Sequence, residues 1–272
     1  MSERRWMLAF VIPLIAAGCA VSTQQEVALG TQYAAQVDSQ LPIIHDAALQ
    51  RYIDILGDSI AHVTSRADLD WHFAIVNTDV VNAFALPGGF VYVNRGIIEH
   101  ADKMDELAGV MAHEIGHVVK RHSVKQMQQA EGANVGVMLA CVLTNVCESQ
   151  AGQTAINLGG TLVFAKFSRE DEAQADEEGF SYLVKAGISP QGMVSFFQKL
   201  VDMEQQSGAS APPAWFSDHP LTQDRIADVQ NLINQLPPAT LGTLTEDTRA
   251  FQEFKARLMS LPPAPPPPQA PQ

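Results

Sequence analysis

Basic residues are scarce in this chain, which has 17 Lys and Arg against 30 Asp and Glu and a formal net charge of −13. A surface of this sign repels nucleic-acid phosphates, so no nucleic-acid partner is expected. The acidity is instead typical of a secreted domain that must stay in solution. The chain also lacks an internal repeat period and a dividing linker. We therefore expect one compact core before the Pro-rich end.

Long apolar runs are absent as well, and none reaches the roughly 20 residues of a membrane span. The run from Trp6 to Ala17 follows Arg4 and Arg5 and leads to Gly18 and Cys19, which predicts a secretory signal peptide. We expect the signal peptide to cover residues 1–18, a lipid to be attached to Cys19, and a tether to follow over residues 19–28. Ordinary signal cleavage nearby is the alternative.

The residues Ala-Ala-Gly-Cys that end at Cys19 resemble the lipobox of bacterial lipoproteins. In such lipoproteins a residue other than Asp after the cysteine, here Ala20, implies sorting to the outer membrane. The expected location is therefore the periplasm of a Gram-negative bacterium, with the domain anchored to the outer-membrane lipid surface.

Cysteine is also rare, because only Cys141 and Cys147 remain besides Cys19. These two thiols are six positions apart, and on an unbroken helix they would project about 240° from each other. A disulfide would need a helix break between them, so a disulfide and two buried free thiols both stay open. The apolar stretch Val135–Val146 predicts a buried or lid-forming helix, with membrane contact as the alternative.

The periodicity of apolar residues predicts the remaining elements. One or two scaffold helices are expected between residues 25 and 67, and a last helix should pack on the domain through Phe251, Phe254 and Leu258. Three short apolar runs, at 71–76, 83–86 and 89–93, predict a small antiparallel sheet. One of its strands would either pair with an extended substrate or be plain sheet core.

The segment His113–His117, of sequence His-Glu-Ile-Gly-His, carries the main chemical signal. Two imidazoles four residues apart on a helix share one face and can bind one metal ion, and the Glu between them is the right base for hydrolysis. The preceding residues 105–112 begin with acids and continue with apolar residues at helical spacing, which predicts a buried amphipathic helix. A lone histidine there would be a core residue, but two that flank a Glu favour a metal site.

A hydrolytic zinc site has three protein ligands, so one more ligand must come from elsewhere in the chain. The candidate segment is 167–176. If it is helical, Glu172 and Asp176 lie one turn apart on the same side, so that one can bind the metal while the other orients a ligand histidine.

These two motifs together, His-Glu-x-x-His and Ser-Arg-x-x-Glu-x-x-Ala-Asp at 168–176, resemble the M48 family of zinc metallopeptidases. The residues at 82–89, Asp218-His219-Pro220, and Arg225-Ile226 also match that family's pattern. The resemblance covers about residues 30–235. It implies an α+β, mainly helical zincin-type peptidase domain at 29–236. Helical spacing and proline content beyond it predict a C-terminal linker and helix at 237–260 and a disordered Pro-rich tail at 261–272.

The resemblance implies one zinc ion per chain, with His113, His117 and Glu172 as ligands. Glu114 would be the general base, which takes a proton from the attacking water and returns it to the leaving amine. Asp176 would accept a hydrogen bond from the free ring nitrogen of a ligand histidine.

Two further histidines lie near these motifs. His219 is expected near the metal, where it either stabilises the transition state or occupies the water position of a resting enzyme. His122 would project about 140° away from His117 on a continuing helix, so we expect a structural or solvated role for it. His45, His62, His72 and His100 have no metal-like spacing.

Within the family, the chain is most similar to periplasmic, outer-membrane-associated lipoproteins that act in envelope quality control. Among these, it resembles the short members, in which no helical repeats follow the peptidase domain. The expected function is cleavage of unfolded or misassembled envelope polypeptides. Two alternatives are a chaperone-like or scaffolding lipoprotein with a latent, autoinhibited zinc site, and a different zinc hydrolase such as a cell-wall amidase.

Overall fold

The computed structural model describes residues 21–128, 167–207, 215, 219–220 and 222–264. The expected signal peptide, lipidation at Cys19, the segment Val135–Val146, the two remaining cysteines, Asp218 and most of the Pro-rich tail lie outside the described residues. Within them, no helix has both the length and the apolar character needed to cross a bilayer.

Two N-terminal helices match the expected scaffold. Helix α1 (Thr23–Gln40) begins with a capping box in which Ser22 and Gln25 satisfy each other's backbone N–H groups. Helix α2 (Ala47–Ala61) begins at Asp46, whose carboxylate accepts two backbone N–H groups. The expected tether at 19–28 therefore overlaps a helix that starts at Thr23.

The three predicted strands are present as β1 (His72–Val76), β2 (Ala83–Leu86) and β3 (Phe90–Asn94). The expectation of an all-antiparallel sheet is wrong, because the order is β1-β3-β2 and β1 pairs with β3 in parallel. The loop 77–82 crosses the end of β3, where Asn94 Nδ2 donates to the Val80 carbonyl at 3.1 Å. This crossing places β3 between β1 and β2. The alternation of apolar residues predicts strands but does not predict their order in the sheet.

Helix α3 (Arg95–His100) leads into α4 (Met104–Lys120), which carries the His-Glu-x-x-His motif. Every residue from Met104 to Val118 is buried, so α4 is the central helix of the core rather than an amphipathic surface helix. It ends at Arg121, whose φ of 59° is left-handed. Residues 122–128 then continue as a separate helical stretch.

The described residues beyond this stretch contain five more helices: α5 (Arg169–Lys185), α6 (Gln191–Ser207), α7 (Gln223–Asn234), α8 (Pro238–Leu241) and α9 (Arg249–Ser260). Helices α5 and α6 pack on α4. A Cβ atom at Gly116 of α4 would lie 2.9 Å from the Ala175 carbonyl oxygen of α5, so glycine permits this close approach. The predicted last helix is confirmed as α9, with Phe251, Phe254 and Leu258 buried.

A buried carboxylate fastens α1 to the centre of the domain. Glu26 is fully buried and accepts hydrogen bonds from Arg66 Nη1 and Arg121 Nε, each at 2.7 Å. It also accepts the Gly88 backbone N–H at 3.2 Å, in the turn between β2 and β3. A buried charge paired with two guanidinium groups is far more favourable than an unpaired one, so α1 belongs to the folded core.

Candidate metal centre

Helices α4 and α5 bring the expected ligands together. His113 and His117 lie one turn apart on α4, and Glu172 lies in the first turn of α5, which Ser168 and Asp171 begin with a capping box. All three side chains are buried. With His219 they form a group whose four donor atoms lie within 4.8 Å of one another.

The distances between the donor atoms fit a zinc ion. Bonds of about 2.0–2.1 Å in tetrahedral geometry place neighbouring ligand atoms roughly 3.4 Å apart. Here Nε2 of His113 and Nε2 of His117 are 3.0 Å apart, and the Glu172 carboxylate lies 3.6 Å from the first and 3.5 Å from the second. Two imidazoles and one carboxylate are also a donor set that hydrolytic zinc sites use.

His219 lies inside this group rather than beside it. Its Nδ1 is 3.0 Å from Glu172 Oε1 and 3.2 Å from His113 Nε2, which are again spacings of a zinc ligand set. Trp215 holds the ring in place, because its indole stacks on His219 with ring centroids 4.4 Å apart. The backbone N–H of His219 also donates to the Trp215 carbonyl at 2.8 Å.

Glu114 lies next to the donor group and is 1% exposed. Its Oε1 is 3.4 Å from Nε2 of His219. The sequence pattern assigns the role of general base to this residue.

Asp176 and Arg225 form the layer behind the ligands. Asp176 Oδ1 is 2.9 Å from His113 Nδ1, the contact that was predicted for this residue. Arg225 was noted in the sequence only as part of a pattern, yet its guanidinium is buried and contacts both acids. It donates from Nε and Nη2 to Asp176 at 2.7 and 2.8 Å, and from Nη1 to Glu172. No local sequence signal relates these residues, because Arg225 is 49 positions from Asp176.

The expectation that His122 projects away from the site is wrong. Arg121 breaks the helix with its left-handed conformation, so the assumed continuation does not exist. His122 is fully buried, and its Nδ1 is 2.9 Å from His117 Nδ1. His45, His62, His72 and His100 are not part of the donor group.

The charges around the site set the protonation of its histidines and acids. Burial, and then the neighbouring His113, lower the pKa of His117 well below its ordinary value, so its ring is neutral and able to bind a metal. Burial opposes ionisation of both Glu172 and Asp176, but neighbouring positive charges outweigh it. His219 and Arg225 lower the pKa of Glu172, and Arg225 lowers the pKa of Asp176. Both acids are therefore carboxylates at neutral pH.

The site contains a buried donor set of two His and one Glu, and a second Glu lies beside it on the central His-Glu-x-x-His helix, which packs next to a small sheet. This combination defines a zincin-type metallopeptidase. The family model of peptidase family M48 matches residues 47–233, and the chain belongs to this family. The resemblance seen in the motifs is thereby confirmed.

Known relatives agree with this family. The chain is 36% identical over 231 residues to the beta-barrel assembly-enhancing protease of Yersinia pestis, covering 82% of this chain and 46% of that protein. It is 34% identical over 254 residues to the protein of the same name from Escherichia coli K12, covering 90% and 50%. It is also 34% identical over 151 residues to the metalloprotease LoiP of that strain, covering 56% and 58%. The chain thus spans about half the length of these relatives.

Proposed function

We propose that this protein is a zinc-dependent endopeptidase that cleaves unfolded or misassembled polypeptides of the cell envelope. The observation that carries the proposal is the convergence of His113, His117 and Glu172, all buried, at the spacing of zinc ligands and beside Glu114. Zinc, when bound, supplies the Lewis-acid chemistry that activates water and polarises a peptide carbonyl.

The protein's own residues then have distinct roles. Glu114 accepts the proton of the attacking water at its carboxylate and later gives that proton to the leaving amine. Asp176 and Arg225 hold His113 and Glu172 in place through the contacts described above. Burial of the ligands keeps their orientation fixed before the substrate arrives.

Strand β2 is the proposed platform for an extended substrate. It lies at one border of the described three-stranded sheet, next to β3, and packs beside α4. The opposite border is partly occupied, because Ile43 forms a bridge with Val76 of β1. A polypeptide that adds to β2 through backbone hydrogen bonds would need no particular sequence, which suits a protease for misassembled chains.

Two of the relatives are named for enhancing beta-barrel assembly, which supports an envelope substrate. The lipobox-like residues around Cys19 support a location in the periplasm with a lipid anchor in the outer membrane. Such an anchor would restrict the enzyme to substrates that stay close to that membrane.

A second candidate function is a chaperone-like or scaffolding lipoprotein with a latent zinc site. The position of His219 among the donor atoms favours it, because a fourth protein ligand would occupy the place that a reacting water needs. In the endopeptidase, the same residue would have to leave this place or act on the transition state.

The test compares the protein lacking residues 1–19 with its Glu114→Gln and His219→Ala variants, with metal content and casein cleavage measured on each. We expect Glu114→Gln to retain zinc and lose about 10²–10⁴-fold in cleavage, since only the proton acceptor is removed. The exposed His45, changed to Ala, is the control and should match the wild type.

The His219→Ala variant separates the two roles of that residue. Faster cleavage would indicate a resting site closed by His219, and slower cleavage would indicate a role in the transition state. Equal cleavage by Glu114→Gln and wild type would overturn the mechanism, and zinc without cleavage in all samples would favour the scaffolding function.

A further inference from the structure

His122 contacts the metal centre from behind, although nothing in the motif requires it. Its ring is fully buried, with Nδ1 2.9 Å from Nδ1 of His117. Its Nε2 is 3.2 Å from Gln174 Oε1 on α5 and 3.5 Å from Asp171 Oδ1. The ring thus connects one ligand histidine of α4 with the solvent side of α5.

The metal site dictates where the protons of these rings must be. His117 Nε2 faces the donor group, 3.0 Å from His113 Nε2, and must offer a lone pair there. The proton of the neutral His117 ring is then on Nδ1, and the acceptor that it meets among the described residues is Nδ1 of His122. The proton of His122 is in turn on Nε2, where it is donated to Gln174.

We propose that His122 is a positioning residue that holds His117 in the Nδ1-protonated tautomer, and that Gln174 fixes the matching tautomer of His122. This inference rests on the proposed zinc site. It gives His117 a partner equivalent to Asp176, which accepts from His113 Nδ1 at 2.9 Å. The two ligand histidines therefore differ in one respect, since one has an anionic acceptor and the other a neutral one.

The surroundings keep His122 in this position. Arg121 adopts the left-handed conformation that turns the chain back toward His117, and its Nε is bound to Glu26 at 2.7 Å. Phe167 stacks on the His117 ring with centroids 4.0 Å apart, which restricts rotation of that ring. A neutral acceptor also adds no third negative charge behind a site that already contains Glu172 and Asp176.

The first experiment measures the tautomers directly. Histidine labelled with ¹⁵N in the full-length, zinc-loaded protein reports by long-range ¹H–¹⁵N spectra which ring nitrogens carry protons. We expect His122 to be protonated at Nε2 and bare at Nδ1. The opposite tautomer of His122, or a doubly protonated ring, would overturn the proposal.

The second experiment measures zinc affinity by competition with a chelator, with far-UV circular dichroism as a check on folding. His122→Ala should bind zinc about 10–100-fold more weakly, as expected for loss of a residue that orients a metal ligand. His122→Asn, whose amide oxygen can replace the Nδ1 acceptor, should recover most of this loss. Changing the exposed His45 to Ala should have no effect.

A folded His122→Ala variant with wild-type zinc affinity would contradict the proposal while the zinc site itself stands. If that variant does not fold, Gln174→Met serves instead, because Gln174 is only partly buried. This variant should also weaken zinc binding, and unchanged affinity would again contradict the proposal. Failure of the wild type to bind zinc would instead overturn the proposed function together with this inference.

Discussion

Replacing Arg225 with Met should destabilise the metal-free protein far more than the zinc-loaded one. The guanidinium is 6% exposed and is bound to two carboxylates, Glu172 and Asp176. Removing it leaves two buried negative charges without the guanidinium that both of them bind. A dication bound at Glu172 would restore part of that compensation, so the loss of stability should depend on zinc.

The size of the stability loss follows from the burial of the ion pairs that Arg225 forms. Removing one partner of a buried ion pair costs about 3–5 kcal/mol in free energy of unfolding. For a domain of this size each kcal/mol corresponds to about 2–4 °C in Tm, so the expected drop in EDTA is roughly 6–20 °C. Arg225 lowers the pKa of both acids. Its contribution is therefore fully present above their unfolded pKa values near 4, and it fades as the pH falls below them.

The assay is thermal unfolding of wild type and Arg225→Met in EDTA and in excess zinc. Arg249 provides the control, since its side chain is 92% exposed and pairs with Glu253 one turn away. Arg249→Met should change stability by less than about 0.5 kcal/mol. A loss below about 1 kcal/mol for Arg225→Met in EDTA, or an equal loss with and without zinc, would refute the reasoning.

Two further changes test the helix that carries the motif. Burial raises the pKa of Asp105 to about 7, so the folded state holds a proton that the unfolded chain releases near pH 4, and stability falls as the pH rises between these values. In urea unfolding, Asp105→Asn should therefore be more stable than the wild type, and this advantage should be roughly 2–3 kcal/mol larger at pH 8 than at pH 5. An equal advantage at the two pH values would show that this carboxyl is ionised throughout. Gly116→Ala places a Cβ 2.9 Å from the Ala175 carbonyl oxygen, which should force α4 and α5 apart, cost about 1–3 kcal/mol and weaken zinc binding. Gly242→Ala, whose Cβ would meet the Pro238 carbonyl oxygen at an ordinary 3.5 Å, is the matched control, and identical zinc affinity in the two variants would show that the close approach is not required.

The ligand positions were predictable because they depend on local geometry. His113 and His117 are one helical turn apart, as are Glu172 and Asp176, and the motifs that surround them favour helices. Which residues share one face of a helix is determined by a short stretch of sequence. This is also why the last helix, with Phe251 as its first buried residue, was predicted correctly.

The misjudged features depend on contacts between distant parts of the chain. His122 turns toward His117 because Arg121 ends the helix, and Arg121 is held by Glu26, 95 positions earlier. The strand order depends on a loop that crosses β3 and is held there by Asn94. Neither contact produces a periodic pattern, so reasoning from spacing alone favoured a continuing helix and an antiparallel sheet.

The carboxylate of Glu26 shows where the smallest stable form of this enzyme begins. The family model matches only residues 47–233, but a fragment cut at those limits would leave Arg66 and Arg121 without the acid that binds them. It would also lose the Pro262 carbonyl, which accepts a hydrogen bond from the buried Arg95 at 2.6 Å. The limits of the family model therefore enclose the proposed catalytic residues, while cooperative unfolding should also involve the segments that contain Glu26 and Pro262.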